Sequence, residues 1–99
     1  MRQAIAELLN RAVVLDTDGP IVYLGRLVEV AEHGFWLADA DLHDCRDGHA
    51  TKEQYVAEAH LHGYSPNRRR VFVMRSAVIS VTPLDDVIVG EEGEPPDEQ

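Results

Sequence analysis

The stretch from residue 20 to residue 41 constrains the fold most, because it reads as two long β-strands joined by a short turn at residues 32–34. Alternate positions of the first strand share one phase, namely Ile21, Tyr23, Gly25 and Leu27. After Leu27 the phase slips, since Val28 is apolar as well. Such a slip indicates a bulge or a sharp bend, and Gly25 would permit it. A long bent strand with its antiparallel partner is how a small sheet begins to curl into a barrel.

The return strand, residues 35–42, is apolar at Trp36, Ala38, Ala40 and Leu42. We therefore expect Trp36 in the core, with a surface platform for stacking as the alternative. Residues 2–10 have one apolar stripe at helical spacing, which predicts a short helix that caps one end of the barrel. Residues 12–16 are expected to form the first strand.

A segment between the third and fourth strands, about residues 43–67, is the least strand-like part of the chain. Thr51 and Gln54 have the spacing of a capping box, which predicts a helix that ends near Gly63. The alternative is an extended hairpin, because Tyr55, Ala57, Ala59 and Leu61 also alternate.

Two more strands are predicted at residues 70–75 and 77–82, separated by a sharp bend or 3-10 turn at Ser76. Residues 84–89 form a last short apolar segment, so we take residues 1–89 as one domain. Residues 90–99 contain five acidic side chains and no large apolar residue, and we expect them to be disordered.

Composition argues against a membrane span, a disulfide and non-specific binding to nucleic acid. The 99 residues lack a long apolar run, so no membrane span is expected. Cys45 is the single cysteine, which rules out an internal disulfide and fits a cytoplasmic protein. The formal net charge of −9 argues against broad, non-specific binding to nucleic acid. Without the acids of residues 90–99 the charge is about −4, from 13 acidic and nine basic side chains.

In two sequence motifs the chain resembles an Sm-like protein. The first family motif is matched by Val13 to Leu15, Gly19, Gly25-Arg26-Leu27 and the return strand, and the second by Val71-Phe72-Val73-Met74-Arg75-Ser76-Ala77-Val78-Ile79. The segment that ends at Pro83 is also similar to the bacterial Hfq branch. The resemblance implies a mostly β fold: a strongly bent five-stranded antiparallel barrel with an N-terminal helix, here with a helical insertion between strands three and four.

The resemblance also implies a ring that binds single-stranded RNA near its central pore. The family uses an Asp and an Asn in the turn after Gly-x-Leu, whereas the turn here is Ala31-Glu32-His33-Gly34. Among the family's RNA contacts only Arg75 carries over, and His33 is the residue of the turn that can stack on a base. We expect a cyclic homo-oligomer of roughly five to seven subunits.

Two other groups of residues have side chains that can bind a ligand. Arg68, Arg69 and Arg70 are candidate phosphate contacts, with a solvated strand edge as the alternative. The insertion holds metal-ligand types at His43, Asp44, Cys45, Asp47 and His49, with His60 and His62 downstream, but their spacing matches no tight zinc pattern. No nucleophile elbow or glycine-rich phosphate loop is present in the sequence. The sequence thus predicts no enzyme, metal or cofactor, and the main alternative to an RNA-binding ring is a protein–protein assembly or regulatory module.

Overall fold

The computed structural model of the protein describes residues 5–48 and 50–89. In these residues five antiparallel strands form one sheet: β1 (Ala12–Thr17), β2 (Ile21–Val30), β3 (Gly34–Asp44), β4 (Arg68–Met74) and β5 (Val78–Pro83). Helix α1 (Lys52–His62) lies between β3 and β4, and 3-10 turns occur at Arg75–Ala77 and Leu84–Asp86. The order across the sheet is β4-β3-β2-β1-β5. The predicted bent five-stranded fold with a helical insertion is confirmed, and β4 begins two residues earlier than expected.

A register shift bends the β2–β3 pair where the alternation in the sequence slips. Leu27 and Glu29 of β2 pair with the adjacent residues Leu37 and Trp36 of β3, so β2 has one extra residue, Val28. An unpaired extra residue bends its strand and increases the local twist. The predicted phase slip after Leu27 is confirmed.

A second register shift lies opposite Gly25, and here the extra residue belongs to β3. Asp39, which has a φ of 50°, occupies this bulge. The bulge moves the apolar face of β3 by one position, so that the buried residues are Phe35, Leu37 and Ala40. Trp36 precedes the bulge on the opposite face and is only half-buried. The prediction that Trp36 lies in the core is therefore wrong.

The sheet buries apolar side chains on both of its faces. The inner cluster contains Val13, Leu15, Leu27, Phe35, Leu37, Ala40 and Val73. Ile5 and Leu8 pack against this cluster, as a cap on the barrel would. Residues 5 and 6 are helical and residues 7–10 form turns, while residues 2–4 of the predicted helix lie outside the described residues.

Helix α1 covers the other face of β1 and β2. The second cluster joins strand residues to the helix and to the turn after β5, with Val14, Val22, Leu24, Ala59 and Leu84 as its buried members. Burial of both faces explains why β2 is apolar at consecutive positions such as Val22 and Tyr23.

The ends of α1 follow the sequence closely. The Thr51 hydroxyl accepts from the Gln54 amide at 3.1 Å, and the Gln54 side chain accepts from the Thr51 amide at 2.8 Å. This reciprocal pair satisfies two amides that the first turn leaves free. Gly63 follows the helix with a φ of 82°, a conformation that favours glycine. The helix is confirmed, and the extended hairpin is wrong.

The described residues bear on one of two further expectations from the sequence. The prediction of disorder at residues 90–99 falls outside the described residues. Within residues 5–48 and 50–89, no helix has the length and apolar character needed to cross a membrane.

Candidate nucleic-acid interface

The turn between β2 and β3 lies against the 3-10 turn between β4 and β5. The Arg75 amide donates to the His33 carbonyl oxygen at 2.8 Å. The Arg75 guanidinium also donates, through Nη1, to the Glu32 carbonyl oxygen at 3.0 Å. The fold thus brings together His33 and Arg75, the two residues that the sequence singled out from separate motifs.

Both side chains of the β2–β3 turn are open to solvent. The exposed fraction is 77% for the His33 side chain and 85% for the Glu32 side chain. The His33 Nε2 atom lies 4.0 Å from Glu32 Oε1, a contact that attracts only when the imidazole is protonated. An exposed ring on a short turn can stack on a nucleobase, but the carboxylate beside it repels phosphate.

An open hollow lies beside this pair of turns. Its lining combines apolar side chains, among them Val28 and Phe35, with the carboxylates of Glu29 and Glu32 and with Arg75. Arg75 is the one basic side chain of that lining. The hollow therefore suits an uncharged ring better than a phosphate.

Arg68, Arg69 and Arg70 are the first residues of β4, and all three are exposed. The Arg68 Nη1 atom donates to the Asn67 carbonyl oxygen at 3.0 Å. Along an extended strand Arg70 is about 17 Å from Arg75, so the run and the two turns are separate surfaces. The structure does not bring the arginine run to the site formed by His33 and Arg75.

An aromatic patch lies beside the arginine run, where Trp36 takes the surface position that the sequence offered only as an alternative. The Arg70 guanidinium lies 4.3 Å from the centre of the Trp36 ring, which contacts the Phe72 ring at 5.0 Å between centroids. Trp36 and Phe72 are direct partners across β3 and β4. The sequence offers no local signal for this patch, because the bulge at Asp39 decides which face Trp36 takes.

Two residues of the insertion, His43 and Tyr55, attach α1 to β3 together with Asp41. The His43 ring stacks on the Tyr55 ring at 4.0 Å with an interplanar angle of 7°, and the Tyr55 hydroxyl donates to the Asp41 carboxylate. Burial, together with Asp41, raises the pKa of Tyr55. The His43 Nε2 atom is buried without a hydrogen-bond partner among the described residues.

The candidate metal ligands do not converge. Arg46 binds Asp44, with 2.6 Å between Nη2 and Oδ2. The hydrogen bonds that Arg46 donates to this carboxylate lower the pKa of Asp44 to about 2. No group of three or more His, Cys, Asp or Glu side chains in the described part of the chain is arranged to hold a metal ion. His49 lies outside that part.

Comparison with known proteins identifies a similar fold. The structure of the Pyrococcus abyssii Sm protein in complex with a uridine heptamer matches with a TM-score of 0.58 and 17% sequence identity. The match covers 83% of this chain and 94% of the archaeal chain. Neither the protein-family models nor the curated protein sequences give a match. At this identity the likeness shows the Sm-like fold.

Proposed function

We propose that the protein is a ring-forming scaffold built from copies of itself, which contacts single-stranded RNA near the central opening of the ring. The observation that carries this proposal is that the two edge strands, β4 and β5, each have one unpaired edge. Within the described residues β4 pairs only with β3, and β5 pairs only with β1. Met74 on β4 is 54% exposed, and Ile79 on β5 is 63% exposed. Unpaired edges that carry large apolar side chains favour association.

Pairing β4 of one copy with β5 of the next would satisfy both edges at once. Each copy then uses two different surfaces, and such a head-to-tail contact closes into a ring when the rotation allows it. By analogy with other proteins of the Sm-like fold, we propose a cyclic assembly of roughly five to seven copies.

Support for RNA binding comes from the contact between His33 and Arg75, which combines an exposed ring with a guanidinium. The uridine heptamer bound to the Pyrococcus abyssii Sm protein is also consistent with it. A ring repeats this site on every copy, so several weak contacts with one strand act together. Because Glu32 and the net charge of −9 oppose phosphate, we expect micromolar or weaker affinity that falls with salt.

Replacing Arg75 with alanine tests this site. Fluorescence anisotropy with labelled oligo-U and oligo-A at low salt should show at least about a tenfold loss of affinity for Arg75→Ala, because a charge-assisted contact is lost on every copy. Arg46→Ala is the matched control. Arg46 is an exposed arginine in the loop after β3, and it binds Asp44 at the end of that strand. Equal losses in the two variants would contradict a contact specific to Arg75.

A separate comparison concerns the arginine run. Arg68, Arg69 and Arg70 remain candidate phosphate contacts because arginine binds phosphate through two parallel hydrogen bonds. Binding that persists in Arg75→Ala, and falls when these three arginines are neutralised although the assembly mass is unchanged, would place the RNA on the outer surface of the ring.

The second candidate function is a protein assembly module that binds no nucleic acid. It is favoured by the Arg75 guanidinium, which already donates to the Glu32 carbonyl oxygen, and by the carboxylates around it. The absence of any anisotropy signal up to about 100 μM protein at low salt would select this function.

A further inference from the structure

A groove runs beside the free edge of β5, between that strand and α1. This α1–β5 groove has a volume of about 220 Å³, and its lining includes Val14, Val22, Val56, Val87, Ser80 and Thr82. Sites for small molecules usually have about 300–1,000 Å³. The groove is therefore suited to a few side chains of a protein partner. Ile88, which also lines it, is 72% exposed.

The face on which the groove lies determines which side chains of a neighbouring strand would reach it. Ser80 and Thr82 line the groove, whereas Val81 packs against the inner cluster. On β4 the inward residues are Val71 and Val73. Since side chains alternate along a strand, Arg68, Arg70 and Phe72 take the outer face. A β4 strand added to the edge of β5 would present that outer face on the same side as the groove.

The outer face of β4 and the α1–β5 groove carry opposite charges. The outer face of β4 carries Arg68 and Arg70, which are exposed. Glu53 lines the groove, and Asp85 and Asp86 are exposed directly after β5. The one lysine of the groove, Lys52, is bound to Asp16 with 2.6 Å between Nζ and Oδ1, so it does not offset these acids.

The direction of the added strand follows from the distribution of charge and apolar side chains along both edges. In an antiparallel pair the start of β4, with its arginines, meets the end of β5, where Asp85 and Asp86 follow. The end of β4, with Met74, then meets Ile79 at the start of β5. A parallel pair would instead place the arginines beside Ile79 and Met74 beside the acids. Charge complementarity across an interface fixes its register and excludes wrong pairings.

We propose that the α1–β5 groove receives the outer face of β4 from a second copy of this chain, with the arginines against the acids that flank the groove. This inference rests on the proposed ring and gives it a feature of its own: the inserted helix forms the outer wall of each contact between copies. It also gives Arg68 and Arg70 a role between subunits.

Charge exchange between the two surfaces tests the proposal. Three variants are compared with the wild type: a β4 variant (Arg68→Glu with Arg70→Glu), a groove variant (Asp85→Arg with Asp86→Arg), and a swapped variant that carries all four changes. Glu7→Arg with Asp47→Arg is the matched control, because both are exposed acids that do not line the groove. Circular dichroism confirms that each variant is folded, and analytical ultracentrifugation gives the concentration of half-assembly.

In the β4 and groove variants we expect this concentration to rise at least about tenfold, because like charges then face each other. In the swapped variant it should return to within about threefold of the wild-type value, while the control pair leaves it unchanged. Wild-type assembly should also weaken as the salt concentration rises from about 50 to 500 mM.

The outcomes separate this inference from the proposed ring. A wild-type protein that assembles, with β4 and groove variants that assemble equally well, overturns the groove contact and leaves the ring intact. Failure of the swapped variant to recover also overturns the contact, since the arginines would then act elsewhere. A wild-type protein that stays monomeric overturns both.

Discussion

Gly25 lies so close to β3 that there is little room for a side chain at this position. A Cβ atom on Gly25 would lie 3.0 Å from the Leu37 Cβ atom and 3.1 Å from the Ala40 Cβ atom, which is tighter than ordinary van der Waals contact. Both neighbours belong to the buried inner cluster, which has little room to yield. A side chain at residue 25 would therefore force the β2–β3 pair to shift by a few tenths of an ångström.

Replacing Gly25 with valine is expected to lower the free energy of unfolding by about 1–3 kcal/mol through overpacking. Gly19→Val is the matched control, because a Cβ atom on Gly19 would meet nothing within 4 Å. Urea denaturation of both variants measures the difference. Equal stability of the two variants would show that the sheet relaxes around residue 25 at no cost.

Single residues were predictable where the signal is local. The slip after Leu27 is visible in the alternation of neighbouring residues, and the motifs pointed to His33 and Arg75. Gly34 shows the limit: a Cβ atom there would overlap the Val73 carbonyl oxygen and the Phe72 ring, both of which belong to β4. The surface position of Trp36 depends in the same way on a bulge whose occupant, Asp39, is not a glycine. Tertiary pairing determines both features, so the sequence around them could not reveal them.

At the level of elements, α1 is attached to β3 through Tyr55. Burial and Asp41 raise the pKa of the Tyr55 phenol above its ordinary value of 10.0, because both disfavour the phenolate. The folded protein then keeps a proton that the unfolded chain begins to lose near pH 10. This contribution to stability is present below pH 10 and is lost as the pH rises through and beyond that value.

We therefore expect the unfolding free energy of the wild type to fall more steeply above pH 10 than that of Tyr55→Phe, which cannot ionise. Urea denaturation from pH 8 to pH 11 measures both slopes. Parallel curves for the two proteins would contradict a raised pKa at Tyr55.

The existence of α1 was predictable, and its position was not. Thr51, Gln54 and Gly63 mark its two ends through hydrogen bonds within a few residues, so the local sequence contains the signal. Its packing against β1 and β2 depends on which face of the sheet is left uncovered by the barrel. That choice, and with it the α1–β5 groove, follows from the curvature of the whole sheet.

At the level of the whole molecule, residues 90–99 are expected to be dispensable for folding. They add five acidic side chains and no large apolar residue, whereas Val89, just before them, is buried. Deleting them should leave the melting temperature and the assembly mass unchanged, and should raise any affinity for RNA because fewer charges repel phosphate. Differential scanning calorimetry and RNA anisotropy of the truncated protein check this. A lower melting temperature or a smaller assembly would contradict it.

The central claim concerns the free edges of β4 and β5, and the mass of the protein in solution tests it most directly. Multi-angle light scattering of the wild type at micromolar concentration and low salt should give one species of roughly five to seven times the chain mass of 11.0 kDa. A monomer under these conditions, or a dimer that does not pair the two edges, would contradict the account.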